Sequence, residues 1–199
     1  MKALLVDFGG VLVVDLWPRA AADWGPRLGV EPAAFLSALF AGDEEGVLVG
    51  RTDEPAWWEV VAQRLGIRRP VLDELIADLA RREVWDEELV AYLGRVRGRA
   101  RVTVVSNAWP DTRRRIESVR GHGVLDDLVL SCEVGMAKPD PGIFELALER
   151  SGASADEALF VDDAEVNIAA ARRLGLGAHR HTGAAETIEA IEDFLSRPR

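Results

Sequence analysis

From residue 87 onwards the chain alternates between helix-like and strand-like segments, and this alternation constrains its fold more than any other feature. Apolar strand-like runs at 101–106, 128–131, 158–162 and 177–180 are separated or flanked by helical patterns at 87–97, 111–120, 141–151, 164–174 and 186–195. This order predicts βαβ units, which form a parallel sheet with helices on both faces. One more strand-like run lies far upstream, at Lys2–Val6. We therefore expect an α/β fold, a doubly wound parallel sheet, built from two separate stretches of the chain.

The intervening residues 15–86 contain no clear strand-like run and predict a helical insertion. Helical patterns at 32–41, 52–66 and 70–82 are separated by glycine and proline. Thr52 is a candidate cap for the second of these helices, because two acidic residues follow it in the first turn. The prediction is thus a core of residues 1–14 and 87–199, and a small helical cap of residues 15–86. An insertion placed directly after a strand end is well positioned to cover that end as a lid.

The charge and composition of the chain disfavour some classes of partner and some cellular compartments. The net charge of −10 disfavours a nucleic-acid partner, because an acidic surface repels phosphate backbones. Cys132 is the single cysteine, so no disulfide can form within the chain, and a reducing compartment is favoured. No apolar run is long enough to cross a bilayer, and no basic, signal-like segment precedes one. We expect a cytoplasmic protein that acts on neither nucleic acid nor membrane; the sequence leaves its oligomeric state open.

Polar residues stand where several predicted strands end. Asp7 follows the first strand and is itself followed by a glycine-rich turn, Ser106 and Asn107 end the strand at 101–106, and Asp162 and Asp163 end the strand at 158–162. In an open parallel sheet, ligands bind at the carboxyl ends of the strands. The sequence therefore predicts that these side chains meet at one edge of the sheet.

Each of these residues has both a catalytic and a structural interpretation. Asp7 suits a nucleophile or a metal ligand, but aspartate is also common in turns. The hydroxyl of Ser106 and the turn amides at Asn107 can bind an oxyanion such as phosphate, or can simply form a strand-to-helix turn. Two adjacent carboxylates, Asp162 and Asp163, repel one another, and a divalent cation relieves that repulsion, although one of them could instead cap the next helix.

Lys138 stands in a loop stiffened by two prolines, within Gly135-Met136-Ala137-Lys138-Pro139-Asp140-Pro141. A rigidly held ammonium group could neutralise both a carboxylate nucleophile and a transferring group. A solvated surface lysine is the alternative, and the paired prolines make it the less favoured one.

Taken together, these residues resemble the motifs of the haloacid dehalogenase-like hydrolase superfamily. The resemblance lies in the stretches LVDFGGVL, VVSNA, EVGMAKPDPGIFELAL and FVDDAEVNIAAARRLG, which cover about half of the chain. They are similar to the branch that holds small phosphatases, among them alpha-D-glucose-1-phosphatase and the N-terminal phosphatase domain of soluble epoxide hydrolase. The resemblance implies a Rossmannoid core with a type-one cap, and hydrolysis of a small phosphorylated metabolite.

The resemblance also implies a role for each motif residue. Asp7 would form an aspartyl-phosphate, and Lys138 would pair with both that carboxylate and the phosphate. Ser106 and the backbone of Asn107 would bind phosphate. Mg²⁺ would be held by Asp7, the carbonyl of Gly9, and the Asp162-Asp163 pair, with Asn167 orienting a ligand from the following helix.

Gly9 departs from the pattern of the family. Phosphatases of the family usually carry a second aspartate at this position, which acts as general acid and base, and losing such a group commonly costs about 10²–10⁴ in rate. Asp15 and His122 are candidate replacements. The departure keeps two alternatives open, a phosphometabolite-binding protein with little or no turnover and, less favoured, a haloacid dehalogenase.

Six tryptophans are the remaining conspicuous residues. Five of them, at positions 17, 24, 57, 58 and 85, lie in or near the insertion and are expected mainly to pack it. Trp109 follows Ser106 and Asn107 closely and is the one best placed to contact substrate.

Overall fold

The structure is a computed structural model that describes residues 1–40, 44–120 and 124–198. Its centre is a five-stranded parallel sheet with the strand order β3-β2-β1-β4-β5. The strands are β1 (Lys2–Val6), β2 (Ala100–Ser106), β3 (Asp127–Leu130), β4 (Ala158–Asp162) and β5 (Gly177–Arg180). The predicted α/β class and the parallel sheet are confirmed.

Eleven helices are found in the described parts of the chain. They are α1 (Trp17–Leu28), α2 (Pro32–Phe40), α3 (Glu44–Leu48), α4 (Glu54–Leu65), α5 (Arg69–Arg81), α6 (Glu87–Val96), α7 (Thr112–Arg120), α8 (Ser131–Val134), α9 (Pro141–Ser151), α10 (Glu165–Arg173) and α11 (Ala184–Ser196). A short 3-10 helix, Ala155–Glu157, precedes β4. None of the described helices is long and apolar enough to cross a membrane.

The central strand β1 is apolar throughout because helices cover both faces of the sheet. Its side chains alternate between the two faces: Leu4 and Val6 pack in a cluster with α6 and α11, whereas Ala3 and Leu5 pack in a second cluster with α9 and α10. β1 pairs with β2 on one side and with β4 on the other. The end of β1 therefore lies between the ends of two neighbouring strands.

Helices α1–α5, between β1 and β2, enclose a third apolar cluster of their own. Trp24 and Trp57 are almost completely buried in it, together with Trp58, Phe35 and Leu72. This agrees with the predicted packing role of the insertion tryptophans. Trp85 differs, because it packs edge-on against Phe8 with ring centroids 5.2 Å apart.

Two chain segments connect the insertion to the sheet, and they are hydrogen-bonded to each other. The amide of Val14 donates to the carbonyl of Val84 over 2.9 Å, and the amide of Asp86 donates to the carbonyl of Leu12 over 2.9 Å. Val13 and Trp85 form an antiparallel bridge between these bonds. The outgoing and returning chains thus make a short two-stranded ribbon beside the end of β1.

The sequence misplaced some local boundaries. Asp53, not Thr52, caps α4, since its carboxylate accepts a 2.8 Å hydrogen bond from the amide of Ala56. The strand expected at 128–131 ends one residue early, and Ser131 begins the short helix α8. Other helix ends differ by one or two residues, where fraying makes boundaries variable.

Candidate active site

The structure brings three charged side chains together at the carboxyl edge of the sheet. The ammonium nitrogen Nζ of Lys138 lies 2.8 Å from Oδ1 of Asp7 and 2.6 Å from Oδ2 of Asp162. Asp7 follows β1 and Asp162 ends the neighbouring β4, so parallel pairing alone sets the two carboxylates side by side. All three side chains are buried. A buried cation between two carboxylates offsets part of the cost of removing them from water.

Asp162 has both carboxylate oxygens fully engaged. Oδ1 accepts from the amide of Ala164 (2.8 Å) and from Nδ2 of Asn167 (3.0 Å), while Oδ2 accepts from Lys138 (2.6 Å) and again from Asn167 (3.1 Å). Each oxygen offers about two lone-pair positions, so the four bonds saturate the group. Asp162 therefore orients the ammonium of Lys138, and Asn167 in turn orients Asp162.

Asp7 is engaged through one oxygen only. Its Oδ1 accepts a 2.7 Å hydrogen bond from the amide of Phe8 and contacts Lys138, whereas no donor within the described ranges reaches Oδ2. Burial, opposed by the attraction of Lys138 and reinforced by the charge of Asp162, raises the pKa of Asp7 to about 6. One oxygen of Asp7 is thus left for attack or for metal binding.

Asp163 completes a cluster that could hold a cation. One carboxylate oxygen from each of Asp7, Asp162 and Asp163 lies within 4.8 Å of the other two. The side chain of Asp163 is partly exposed, and burial together with the charge of Asp162 raises its pKa. Hard divalent cations such as Mg²⁺ prefer this donor set of closely spaced oxygens.

Gly10 allows Asp163 to come this close. Its backbone has φ of 77°, and a Cβ at this position would lie 2.5 Å from Oδ2 of Asp163. A side chain there would displace the carboxylate, and the positive φ independently disfavours other residues. The second glycine of the turn therefore has a steric role that the sequence pattern alone did not assign.

Asn107 fixes the Lys138 loop through its side chain. Nδ2 of Asn107 donates to the carbonyl of Lys138 over 2.9 Å, and Oδ1 accepts from the amide of Lys138 over 2.7 Å. The sequence suggested only a role for the Asn107 backbone in binding phosphate. Ser106 is buried at the end of β2, and its hydroxyl makes one long contact, 3.4 Å, to the carbonyl of Asn107.

Ser131 was missed by the sequence reasoning. It is completely buried, and its Oγ accepts a 2.9 Å hydrogen bond from the amide of Ala108, so it anchors the loop that leaves Ser106. Its position at the end of an apolar run was the only available signal. The adjacent Cys132 is partly buried, and burial raises the pKa of its thiol to about 11, so a thiolate role is not favoured.

Gly9, at the position expected to carry the general acid, is exposed and sterically open. The backbone of Gly9 does not have a positive φ, and a Cβ at this position would meet no atom within 4 Å. Asp15 is also exposed and accepts a 3.1 Å hydrogen bond from the amide of Trp17. The charge of Asp15 contributes to the raised pKa of Asp163, so it lies near the acidic cluster. His122 lies outside the described residues.

Comparisons with known proteins identify the family. The family model described as "Hydrolase: haloacid dehalogenase-like hydrolase" matches residues 1–175. The chain therefore belongs to the haloacid dehalogenase-like hydrolases, as its motifs indicated.

Individual relatives are more distant. A bifunctional epoxide hydrolase 2 from Sus scrofa is 27% identical over 201 residues, covering 88% of this chain and 35% of that protein. The pyrimidine 5'-nucleotidase YjjG from Escherichia coli K12 is 38% identical over 64 residues, covering 32% of this chain and 28% of that protein. The chain thus spans about a third of the length of these relatives.

Solved structures share the fold. A HAD-like family hydrolase from Porphyromonas gingivalis has a TM-score of 0.76 at 21% identity, covering 100% of this chain and 99% of that one. A HAD family enzyme from Bacteroides thetaiotaomicron, solved with magnesium and inorganic phosphate, has a TM-score of 0.73 at 22% identity, covering 92% of this chain and 95% of that one.

Proposed function

We propose that this hydrolase is a Mg²⁺-dependent phosphatase that cleaves a small phosphorylated metabolite through an aspartyl-phosphate on Asp7. The proposal rests mainly on the fact that only one of the two oxygens of this carboxylate has hydrogen-bond donors. Oδ1 is tied to Phe8 and Lys138, and Oδ2 has no donor among the described residues. A carboxylate oriented through one oxygen presents the other as a nucleophile.

The surrounding residues fit the demands of phosphoryl transfer. Lys138 neutralises charge on Asp7 and is positioned to do the same for a transferring phosphoryl group. The hydroxyl of Ser106 and the turn amides near Asn107 supply neutral donors to phosphate oxygens. Catalysis of this reaction depends mainly on positioning and electrostatic stabilisation, which buried, rigidly held groups provide.

The metal ligands in this proposal are Asp163, the carbonyl of Gly9 and Oδ1 of Asp7, which would exchange its contact with Lys138 for the metal and leave Oδ2 for attack. Asp162 was included in the predicted set, but its saturated oxygens favour an orienting role towards Lys138. A bound Mg²⁺ would supply positive charge to the acidic cluster and to the substrate phosphate. The structural neighbour from Bacteroides thetaiotaomicron was solved with magnesium and inorganic phosphate, which supports magnesium as the choice of cation.

The reaction has two steps on the residues of this chain. Oδ2 of Asp7 attacks phosphorus, the P–O ester bond breaks, and its electron pair leaves with the alcohol or phenol oxygen. Water then attacks phosphorus, the bond to Asp7 breaks, and inorganic phosphate leaves with the carboxylate restored. Because Gly9 cannot donate a proton, the leaving oxygen must be protonated from solvent or leave as a stable anion.

The insertion of residues 15–86 would act as a cap in this proposal. Its helices enclose their own apolar cluster, and its first residues run past the acidic cluster near Asp163. A cap over the site suits a compact substrate and disfavours folded macromolecules and nucleic acid. The single cysteine fits the cytoplasm as the compartment.

The decisive experiment is hydrolysis of p-nitrophenyl phosphate with magnesium and with EDTA. We expect magnesium-dependent turnover in the parent and its loss in Asp7→Asn. Asp156→Asn is the matched control, because Asp156 is exposed in the turn before β4, at the opposite edge of the sheet. Full activity in Asp7→Asn would refute the nucleophile. Binding of phosphate without any turnover would instead favour the non-catalytic alternative, and release of chloride from a haloacid would favour the dehalogenase.

A further inference from the structure

We infer that the substrate is an aryl phosphate whose ring packs against Trp109 and Trp17, an inference that rests on the proposed phosphatase function. Two independent observations lead to it. One is a group of aromatic side chains that joins the insertion to the phosphate-binding loop. The other is the open backbone at Gly9, where the side chain of a proton donor is missing.

Four aromatic rings form this group. The centroid of Trp17 lies 4.8 Å from that of Phe40 and 5.8 Å from that of Trp109, and Trp109 lies 5.1 Å from Trp58. Trp58 is buried, whereas the other three remain partly exposed. Partly exposed rings that already pack edge-on or tilted against each other offer ready surfaces for one more ring.

The chain places these rings beside the reacting groups. Trp109 is the third residue after Ser106, in a loop anchored by the bond from the amide of Ala108 to Ser131. The amide of Trp17 donates a hydrogen bond to the carboxylate of Asp15, and the charge of Asp15 raises the pKa of Asp163. Trp109 therefore lies close in the chain to the phosphate-binding end of β2, and Trp17 contacts it from the insertion, with ring centroids 5.8 Å apart.

Acidic side chains near the rings disfavour a substrate that carries a second anionic substituent on its ring side. Glu54 accepts from Nε1 of Trp58 over 3.2 Å and from the amide of Asp111 over 3.3 Å, and Asp15 adjoins Trp17. A second phosphate or a carboxylate on the leaving group would be repelled by these acids. Arg114 pairs with Asp111 and offsets part of this negative charge, so the acids only weaken binding of a second anionic group, and the preference for an aryl group rests on the rings.

The chemistry at Gly9 points to the same class of substrate. A phenol is a far stronger acid than an alkyl alcohol, so a phenolate leaves with little protonation in the transition state. An aryl phosphate therefore needs least from the group that Gly9 lacks. Acyl phosphates share this advantage but carry no ring, which allows the two contributions to be separated.

The first experiment measures binding without chemistry. We would titrate phenylphosphonate, methylphosphonate and inorganic phosphate into the magnesium-loaded protein by calorimetry. Phenylphosphonate should bind about three- to tenfold more tightly than methylphosphonate, the range expected for one added ring contact. Trp109→Leu should abolish this preference and weaken phenylphosphonate binding more than binding of inorganic phosphate, and Trp109→Phe should retain most of the preference.

The second experiment compares kcat/KM for dinitrophenyl phosphate and acetyl phosphate, whose leaving groups are similarly acidic. Trp109→Leu should lower the former about three- to tenfold more than the latter. Trp17→Leu provides the same test if Trp109→Leu does not fold. An equal loss on both esters, or no aryl preference in the parent, would overturn the inference. Selective phosphonate binding without any ester hydrolysis would support the aryl site and refute the phosphatase.

Discussion

Replacing Asp7 by asparagine should abolish activity and also stabilise the fold. Burial raises the pKa of Asp7 from its ordinary value of 3.8 to about 6, so at neutral pH the folded protein holds a carboxylate that burial disfavours. One pKa unit corresponds to about 1.4 kcal/mol, so a shift of about two units corresponds to about 3 kcal/mol. Asparagine keeps the shape and an acceptor oxygen but carries no charge. We expect Asp7→Asn to unfold with a free energy about 3 kcal/mol higher at pH 7.5.

The pH dependence of this difference follows from the direction of the shift. Because the folded-state pKa is raised, the folded protein binds the proton more tightly than the unfolded chain. The parent is then as stable as the variant below about pH 4, where both states carry a protonated Asp7. It loses stability relative to the variant as the pH rises from about 4 to 6, and the difference is constant above that.

Urea denaturation in EDTA at several pH values measures this directly. Asp156→Asn controls for the loss of one negative charge from an acidic protein. Added magnesium should raise the midpoint of the parent but much less that of Asp7→Asn, since ligand binding stabilises only a fold that can bind it. A variant that is less stable than the parent at pH 7.5, or a difference that grows towards low pH, would refute the reasoning.

Three further substitutions test separate parts of the site. Gly10→Ala should weaken magnesium binding, because the new Cβ displaces Asp163. Gly29→Ala is the control: its φ is similar, 70°, but the space around it is open, so only the free energy of unfolding should fall, by about 1–2 kcal/mol. Equal magnesium affinity in the two variants, measured by calorimetry, would contradict this reasoning. Gly9→Asp should raise kcat/KM more for alkyl than for aryl phosphates, because a carboxylic acid there can protonate the leaving oxygen; an equal gain on both classes, in a series of graded leaving groups, would count against it. Asn107→Ala should lower the free energy of unfolding by about 2 kcal/mol and reduce kcat, because the two hydrogen bonds that clamp the backbone of Lys138 are lost. An unchanged urea midpoint and unchanged turnover would show that this clamp has no role.

The convergence of Asp7, Lys138 and Asp162 could be expected from the sequence because strand-end positions in a parallel sheet are fixed by topology. Once strands 2–6 and 158–162 are neighbours, the residues that follow them must lie side by side. The proline-stiffened loop then restricts where Lys138 can point. These features depend on the order of strands and helices, which the spacing of apolar residues in the sequence predicts.

Contacts that depend on side-chain direction could not be derived in the same way. The clamp from Asn107 to the Lys138 backbone joins loops 31 residues apart, and no local pattern distinguishes it from an ordinary turn asparagine. The saturation of Asp162 likewise appears only when four donors are placed in space. Thr52 and Asp53 both have side chains suited to capping, and the choice between them depends on the turn that brings the chain into α4.

The ribbon formed by the two linkers decouples the length of the insertion from the sheet. Because the amide of Val14 touches the carbonyl of Val84, the chain leaves the core and returns to it at a single point. Residues 15–83 therefore form a loop whose two ends are held together by this hydrogen bond. Doubling the length of a flexible loop raises the entropic cost of closing it by only about 0.6 kcal/mol. Helices can therefore be added or removed beyond Val14 without altering strand register. Changes in the insertion would alter its contacts with the loop after β2, such as those of Trp17 and Trp58 with Trp109, while Asp7 stays at the end of β1.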